Sequence, residues 1–345
     1  MIRAQFGETP DGGLVDLFSF ANARGTQCSV MSYGGTIVSL RTPDRSGTLG
    51  DIVLGCDTLA GYFTQPAYLG ALIGRCANRI TGGSFPLDGR TYTLARNQGQ
   101  DHLHGGLRGF DKVVWDAEPF AAGVTLRHSS PAGDEGYPGR LDVKVRYSLS
   151  DDDELEVAYQ AETTAATPVN LTQHSYFNLA GHGDVLGHEL QLDADYFTPV
   201  GANLIPTGVV APVAGTPFDF RTPRRIGDRI GAEDRQLHYA GGYDHNYVIR
   251  RTDPGLAHAA RVRDPESGRT LDVLTTEPGV QLYTGNFLDG SIVGKHGQRY
   301  GRRAGFCLET QHYPDSPNRP EFPSIILRPD RQYRSRTVFK FGVAT

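Results

Sequence analysis

Leu141-Asp142-Val143-Lys144-Val145-Arg146-Tyr147-Ser148-Leu149 decides the fold class, because apolar and polar residues alternate along it without a break. A period of two places Leu141, Val143, Val145, Tyr147 and Leu149 on one face of a strand and the polar residues on the other. A strand half buried in this way belongs to an antiparallel sheet. Outward from it, 155–161, 189–193, 280–284 and 324–327 read as further strands, rich in β-branched and aromatic residues. Phe85-Pro86-Leu87-Asp88-Gly89-Arg90-Thr91-Tyr92 sets Asp-Gly between two such runs, which predicts a type I′ hairpin. Helical periodicity is nearly absent, and 221–231 holds one short helix at most. The chain reads as all-β, with many strands stacked into a large antiparallel sandwich.

Composition bounds the rest. With 345 residues, 38% hydrophobic and 21% charged, the chain can bury a sizeable core. The 43 glycines and 21 prolines punctuate its whole length, with no linker and no fixed repeat, so residues 1–345 are expected to form one domain. A net charge of -5 leaves no basic excess to meet a phosphate backbone, which excludes nucleic acid as an expected partner. No run approaches the roughly 20 apolar residues that cross a bilayer, and the start has no apolar leader, so no membrane association and a cytoplasmic location are expected. Cys28, Cys56, Cys76 and Cys307 are scattered and read as small buried hydrophobes.

Several motifs fail on inspection. Gly290-Ser291-Ile292-Val293-Gly294-Lys295-His296 is one residue short of a phosphate loop, with His296 where Ser or Thr belongs. Gly181 to Gly187 misses the dinucleotide fingerprint. His102-Leu103-His104 offers two metal ligands, but no recognisable spacing supplies the rest. There is no Gly-x-Ser-x-Gly elbow. No cofactor and no metal are expected.

Three segments carry unusual polar faces. In Pro168-Val169-Asn170-Leu171-Thr172-Gln173-His174-Ser175-Tyr176-Phe177-Asn178-Leu179, strand alternation puts Asn170, Thr172, His174, Tyr176 and Asn178 together. Cys307, Glu309 and Gln311 alternate with Phe306 and Leu308, and Gln281 and Tyr283 alternate with Val280 and Leu282. If these faces converge, amide, phenol, imidazole and carboxylate groups meet on one surface, which suits a neutral, hydroxyl-rich ligand such as a sugar. A plain solvated sheet face is the competing reading.

Six ordered blocks carry a resemblance: Gly74-Arg75-Cys76-Ala77-Asn78-Arg79-Ile80; Leu103-His104-Gly105-Gly106 with Arg108-Gly109-Phe110-Asp111-Lys112; 170–181; Tyr243-Asp244-His245-Asn246-Tyr247; 278–286; and Phe306-Cys307-Leu308-Glu309-Thr310-Gln311-His312-Tyr313-Pro314-Asp315. Together they resemble the aldose 1-epimerase, or galactose mutarotase, family. The resemblance implies that family's large antiparallel β-sandwich and a cofactor-free reaction on a free monosaccharide. It implies Glu309 as base and His174 as acid, with Asn78, Arg79, His104, Asp244 and Gln281 at the sugar; Tyr176, on the strand face of His174, is expected to pack beside the sugar. His104 stays open as a second candidate for the acid. So do the preferred aldose (galactose, glucose, xylose or arabinose) and the oligomeric state, monomer or homodimer. The chemistry is a hemiacetal opening: the C1 hydroxyl loses a proton, the ring oxygen gains one, and C1–C2 rotation allows closure on the other face.

Overall fold

The protein is described from a computed structural model that covers residues 1–344. Leu141–Leu149 is a strand, and all five of its apolar residues are buried. It pairs antiparallel with Gly123–Ser130 on one side and Glu154–Thr163 on the other. These belong to a nine-stranded sheet that continues through Tyr333–Val343, Arg269–Thr275 and Ala257–Arg263. Pro119 sits in the edge strand Asp116–Phe120, where its missing N–H removes nothing the sheet needs.

Two five-stranded sheets complete the sandwich. One is the N-terminal meander from Ile2–Glu8 to Leu49–Asp51. The other runs Ala211–Pro212, Ala194–Thr198, Asp244–Ile249, Gly279–Tyr283, Cys307–Gln311. One apolar core joins all three sheets, with Phe18 and Val30 from the meander, Val145, Tyr147 and Phe339 from the large sheet, and Val280, Leu282 and Leu308 from the second. Each such side chain contributes roughly 1.5–3 kcal/mol by leaving water. In the last sheet the apolar parity is therefore committed to the core. The polar parity must face the other way, and this positions the site.

The hairpin has the expected turn. Ser84–Leu87 pairs with Arg90–Thr93 through a Leu87 to Arg90 closure, and Asp88 and Gly89 have φ of 49° and 77°, the doubly positive signature of type I′. The span 221–231, read as holding one short helix at most, holds a single 3-10 turn at Ile226–Asp228, and the nearby α-helix lies later, at Arg235–Ala240. Asp234 starts that helix by accepting from the backbone N–H groups of Gln236 and Leu237, and Gly241 ends it at φ 65°, signals that 221–231 lacks. One expectation fails: the stretch 168–179 is not one strand. It pairs only at Thr167–Pro168 and Thr172–Gln173, with isolated bridges at Asn170 and Phe177, and its residues are buried on both sides. It is an irregular extended segment threaded between layers, so its polar side chains never faced solvent. Among the described residues no helix is long and apolar enough to cross a membrane.

Gly89→Ala is expected to cost about 1–2 kcal/mol, because an L residue gains nothing in exchange for the left-handed backbone it must adopt there. Urea denaturation measures this, and an unchanged midpoint contradicts the turn assignment.

Candidate active site

Strands Asp244–Ile249, Gly279–Tyr283 and Cys307–Gln311 are neighbours, and their register aligns Asn246, Gln281 and Glu309 in one row and Asp244, Tyr283 and Cys307 in the next. Strand parity and pairing thus put Glu309 and Asp244 on the same face, in adjacent rows with strand Gly279–Tyr283 between them. The threaded segment brings His174 across this face, with its Nε2 3.7 Å from Glu309 Oε1. The second block supplies the far wall. Arg79–Ile80 pairs with His102–Leu103, and just beyond, the backbone N–H of Asn78 donates to His104 Nδ1 at 3.2 Å while His104 N–H donates to Asn78 O at 3.0 Å. Gly105 is obligatory at this corner: its φ is 92°, and a Cβ there would sit 1.7 Å from the carbonyl oxygen of Gly74.

These elements enclose a cavity of about 300 Å³. Glu309, His174, Asn78, Arg79, His104, Tyr176 and Asp244 all line it. Gln281 does not; it lies one layer back and donates to Asp244 Oδ1 at 2.6 Å. Tyr68, Gln98 and Phe287 also line the cavity and were not singled out from sequence as site residues. They come from loops whose spacing in sequence bears no relation to the strands they meet, and nothing in the alternation marks them. The two arginines of the first block divide their work. Arg75 is buried and spends its fork on Ser130 Oγ and the backbone carbonyls of Ser130, Pro131, Pro138 and Gly139. Arg79 faces the cavity, donates to Gln98 Oε1 at 2.7 Å and stands 4.0 Å from Asp244 Oδ2.

Desolvation dominates the electrostatics. Burial raises the Glu309 pKa well above the carboxylate range, helped by Asp244 and opposed by Arg79. Burial lowers His174 to about 4, and it lowers His104 well below the usual imidazole value, with His174 and Arg79 adding to the effect. Asp244 is also raised by burial, against the pull of Arg79 and the Gln281 hydrogen bond. Glu309 Oε2 is buried with no hydrogen-bond partner. A carboxylate oxygen kept dry and unpaired is costly, and such an atom points to a ligand that completes it. A larger groove of about 810 Å³ lies elsewhere, but its buried cations are spent, Lys295 on Asp51 and Val53 O, Arg269 on the carbonyls of Thr42, Thr48 and Leu179.

The family's sequence model, described as aldose 1-epimerase, matches residues 16–340. The chain belongs to the aldose 1-epimerase family. It is 48% identical over 345 residues to the galactose mutarotase of Rattus norvegicus, covering 99% of this chain and 98% of that one. It is 40% identical over 336 residues to the aldose 1-epimerase of Escherichia coli K12, covering 96% of each. Among solved structures, an aldose epimerase homologue from C. elegans superposes with a TM-score of 0.89 at 31% identity, covering 95% of this chain and 99% of that one. Family membership accounts for the all-β sandwich and for the spread of the six blocks along the chain.

The ligand atoms of His104, His174 and Glu309 lie within 4.8 Å of one another, close enough to hold a metal. Tautomer decides against it. With Nδ1 accepting from the Asn78 backbone, neutral His104 carries its proton on Nε2, and an N–H does not ligate a cation. The His102-Leu103-His104 pair is no ligand pair either, since His102 Nδ1 bonds Ala95 O and its Nε2 meets the Tyr137 hydroxyl.

Gln281→Leu is expected to destabilise the fold by about 1–3 kcal/mol at neutral pH, because ionised Asp244 loses its nearest donor. The Asp244 pKa lies above its unfolded value, so lowering the pH through it protonates the carboxyl in the folded state and removes the need for that donor. The gap from wild type should therefore narrow in acidic buffer. Urea denaturation across pH tests this, and a gap independent of pH contradicts it.

Proposed function

We propose that Glu309 and His174 are the proton-transfer pair of an aldose 1-epimerase, an isomerase that interconverts the α and β anomers of a free aldose. The observation that carries this reading is the unpaired Glu309 Oε2 beside the cavity, with His174 Nε2 3.7 Å from the other carboxylate oxygen. A hydroxyl at C1 supplies the donor that Glu309 lacks, and the ring oxygen supplies the acceptor that a protonated His174 needs.

The pair works with one proton between its two members. In the sugar-free site burial favours that proton on Glu309 and leaves His174 neutral. Ring opening needs the other arrangement, carboxylate beside imidazolium. The two differ only in which group holds the proton. At about 4 Å and an effective dielectric near 20, the attraction between the separated charges is about 4 kcal/mol. That equals about three pK units and offsets part of the gap between Glu309, raised well above its ordinary value, and His174, lowered to about 4; hydrogen bonds from the bound sugar to the Glu309 carboxylate supply the rest. In the forward step Glu309 takes the C1 hydroxyl proton, electrons fold down to form the aldehyde, the C1–O5 bond breaks and His174 delivers its proton to O5. After rotation about C1–C2, the same transfers run backwards: O5–H returns its proton to His174, and Glu309 returns one to the former carbonyl oxygen. No oxidant or group acceptor enters.

His104, fixed as an Nε2–H donor, fits a hydrogen bond to a sugar oxygen, so the acid role falls to His174. Arg79 and Asp244 offer a donor fork and an acceptor for hydroxyls, and Tyr176 supplies an apolar edge. Galactose or glucose is the proposed substrate. A hexose phosphate fits poorly, since the one arginine on the wall shares the cavity with Asp244, Asp289 and Glu309 and stands 4.0 Å from Asp244. We read the whole chain as one domain, a reading supported by a core that runs from Phe18 to Phe341.

Glu309→Gln is expected to lower kcat by about 10²–10⁴ with KM changed only a few-fold, as is His174→Asn. Polarimetry of a freshly dissolved anomer measures both, and wild-type turnover in Glu309→Gln removes that residue from the mechanism. The pH profile of kcat/KM should be flat through neutrality. It should fall on the acid side near about 4, where His174 takes up a second proton and no base remains. It should fall on the alkaline side when the pair loses its single proton. An acid limb near the ordinary imidazole value would sink this assignment.

A further inference from the structure

A histidine that must aim Nε2 at a substrate needs its ring plane fixed, because the terminal torsion of an imidazole is broad and two-fold rather than staggered. His104 is fixed by the Asn78 N–H on its Nδ1. His174 has no such anchor. Its Nδ1 meets only Cys307 Sγ, at 3.6 Å, and a thiol is a weak donor and a weak acceptor. Its orientation therefore falls to packing. Two rings lie tilted against it, Tyr176 at 5.1 Å and 35°, and Tyr68 at 5.9 Å and 34°. The imidazole of His104 meets it edge-on at 5.2 Å and 81°.

Tyr68 is the residue that touches both imidazoles, with its ring centroid 4.7 Å from that of His104. It does so from a left-handed backbone, φ 55°, which a bulky residue adopts only when its surroundings enforce it. The enforcement is visible. Tyr68 O accepts from Ala71 N at 3.1 Å, and Gly70 N, two residues on, donates to His174 O at 3.0 Å. The Lys112 ammonium sits 5.7 Å from the Tyr68 ring centroid, tethered by Leu107 O at 3.0 Å and by Asp111 at 3.5 Å.

We propose that Tyr68 is a positioning residue of the site: its ring, held in place by Lys112, clamps the imidazoles of His104 and His174 so that both direct Nε2 at the sugar. The proposal rests on the mutarotase reading above. The titratable and charged groups facing His104 are Arg79, Lys112, His102, His174 and Glu309; the two cations and the two histidines favour its neutral form, and Glu309, with burial favouring its protonated form, offers little charge against it. The clamp thus holds a donor in one tautomer rather than tuning a titration.

Three variants test it: Tyr68→Phe keeps the ring, Tyr68→Leu removes it, and Lys112→Met removes the outer ammonium from a half-exposed position. Polarimetry on galactose gives kcat and KM, and ¹⁵N spectra of the histidine side chains report ring order in the sugar-free protein. Tyr68→Phe should stay within about twofold of wild type, because the hydroxyl has no part in the clamp. Tyr68→Leu should lose more than about tenfold in kcat with little change in KM, as misaligned reacting groups do. Lys112→Met should lose about two- to fivefold. Both should broaden the His104 and His174 resonances. Unchanged kcat in Tyr68→Leu, a rise confined to KM, or equal losses in Phe and Leu would overturn the proposal. If Tyr68→Leu fails to fold, Tyr68→Phe and Lys112→Met decide, and wild-type spectra in Lys112→Met overturn it. A wild-type protein without mutarotation sinks the functional reading alone, since the spectra still test the clamp.

Discussion

Everything in this protein turns on keeping a carboxylate dry. Glu309 is 2% exposed, its Oε2 has no partner, and Asp244 lies close enough to raise its pKa further. An isolated charge in such a place would simply take up a proton. The fold prevents that from being the end of the matter by supplying a second proton acceptor within 4 Å and a buried guanidinium on the opposite wall. The antiparallel sheet is what makes the arrangement affordable. Each of the three site strands spends one parity on the common core, and that burial holds the other parity in place although its groups are desolvated.

Backbone strain gathers in the same place. Tyr68, Asn78 and His104 all line the cavity with positive φ, at 55°, 60° and 52°. Left-handed backbone at such residues is unfavourable by roughly 1–3 kcal/mol each. It persists because reciprocal hydrogen bonds lock Asn78 to His104, because Gly105 lets the chain pass against Gly74, and because Gly70 ties the Tyr68 turn to His174. The loops of the cavity are thus fixed to each other as firmly as the strands, and the site is assembled before sugar arrives.

How much of this was legible in the sequence follows from which forces are local. Strand parity is local, so Leu141–Leu149 and the face shared by Cys307, Glu309 and Gln311 could be read directly. Turn chemistry is local too, hence Asp88-Gly89. The alternation at 168–179 misled because hydrogen bonding to loops, rather than to one neighbouring strand, satisfies that segment, and alternation cannot distinguish the two. Arg75 and Arg79 look alike in the motif, and only tertiary packing sends one to scaffold carbonyls and the other to the cavity. Gln281 sits on the right parity yet one layer too deep, because the side chain of Asp244 lies in front of it. Tyr68 carries no pattern at all. The roles proposed for Glu309 and His174 are not in the periodicity, which offers only polar groups on strand faces; the family resemblance implies them.

The one-proton inventory proposed for Glu309 and His174 would also explain why so little else is required. Opening and closing the ring are the same pair of transfers in opposite directions, so a site that ended either step with a different proton count would stall until solvent reset it. Glu309 and His174 avoid this because their burial pushes the two pKa values apart, Glu309 up and His174 down, and leaves a wide pH range in which the pair holds a single proton. Within that range the aldehyde intermediate faces the same two groups whichever face of C1 it presents, and either anomer can leave with the enzyme already prepared for the next.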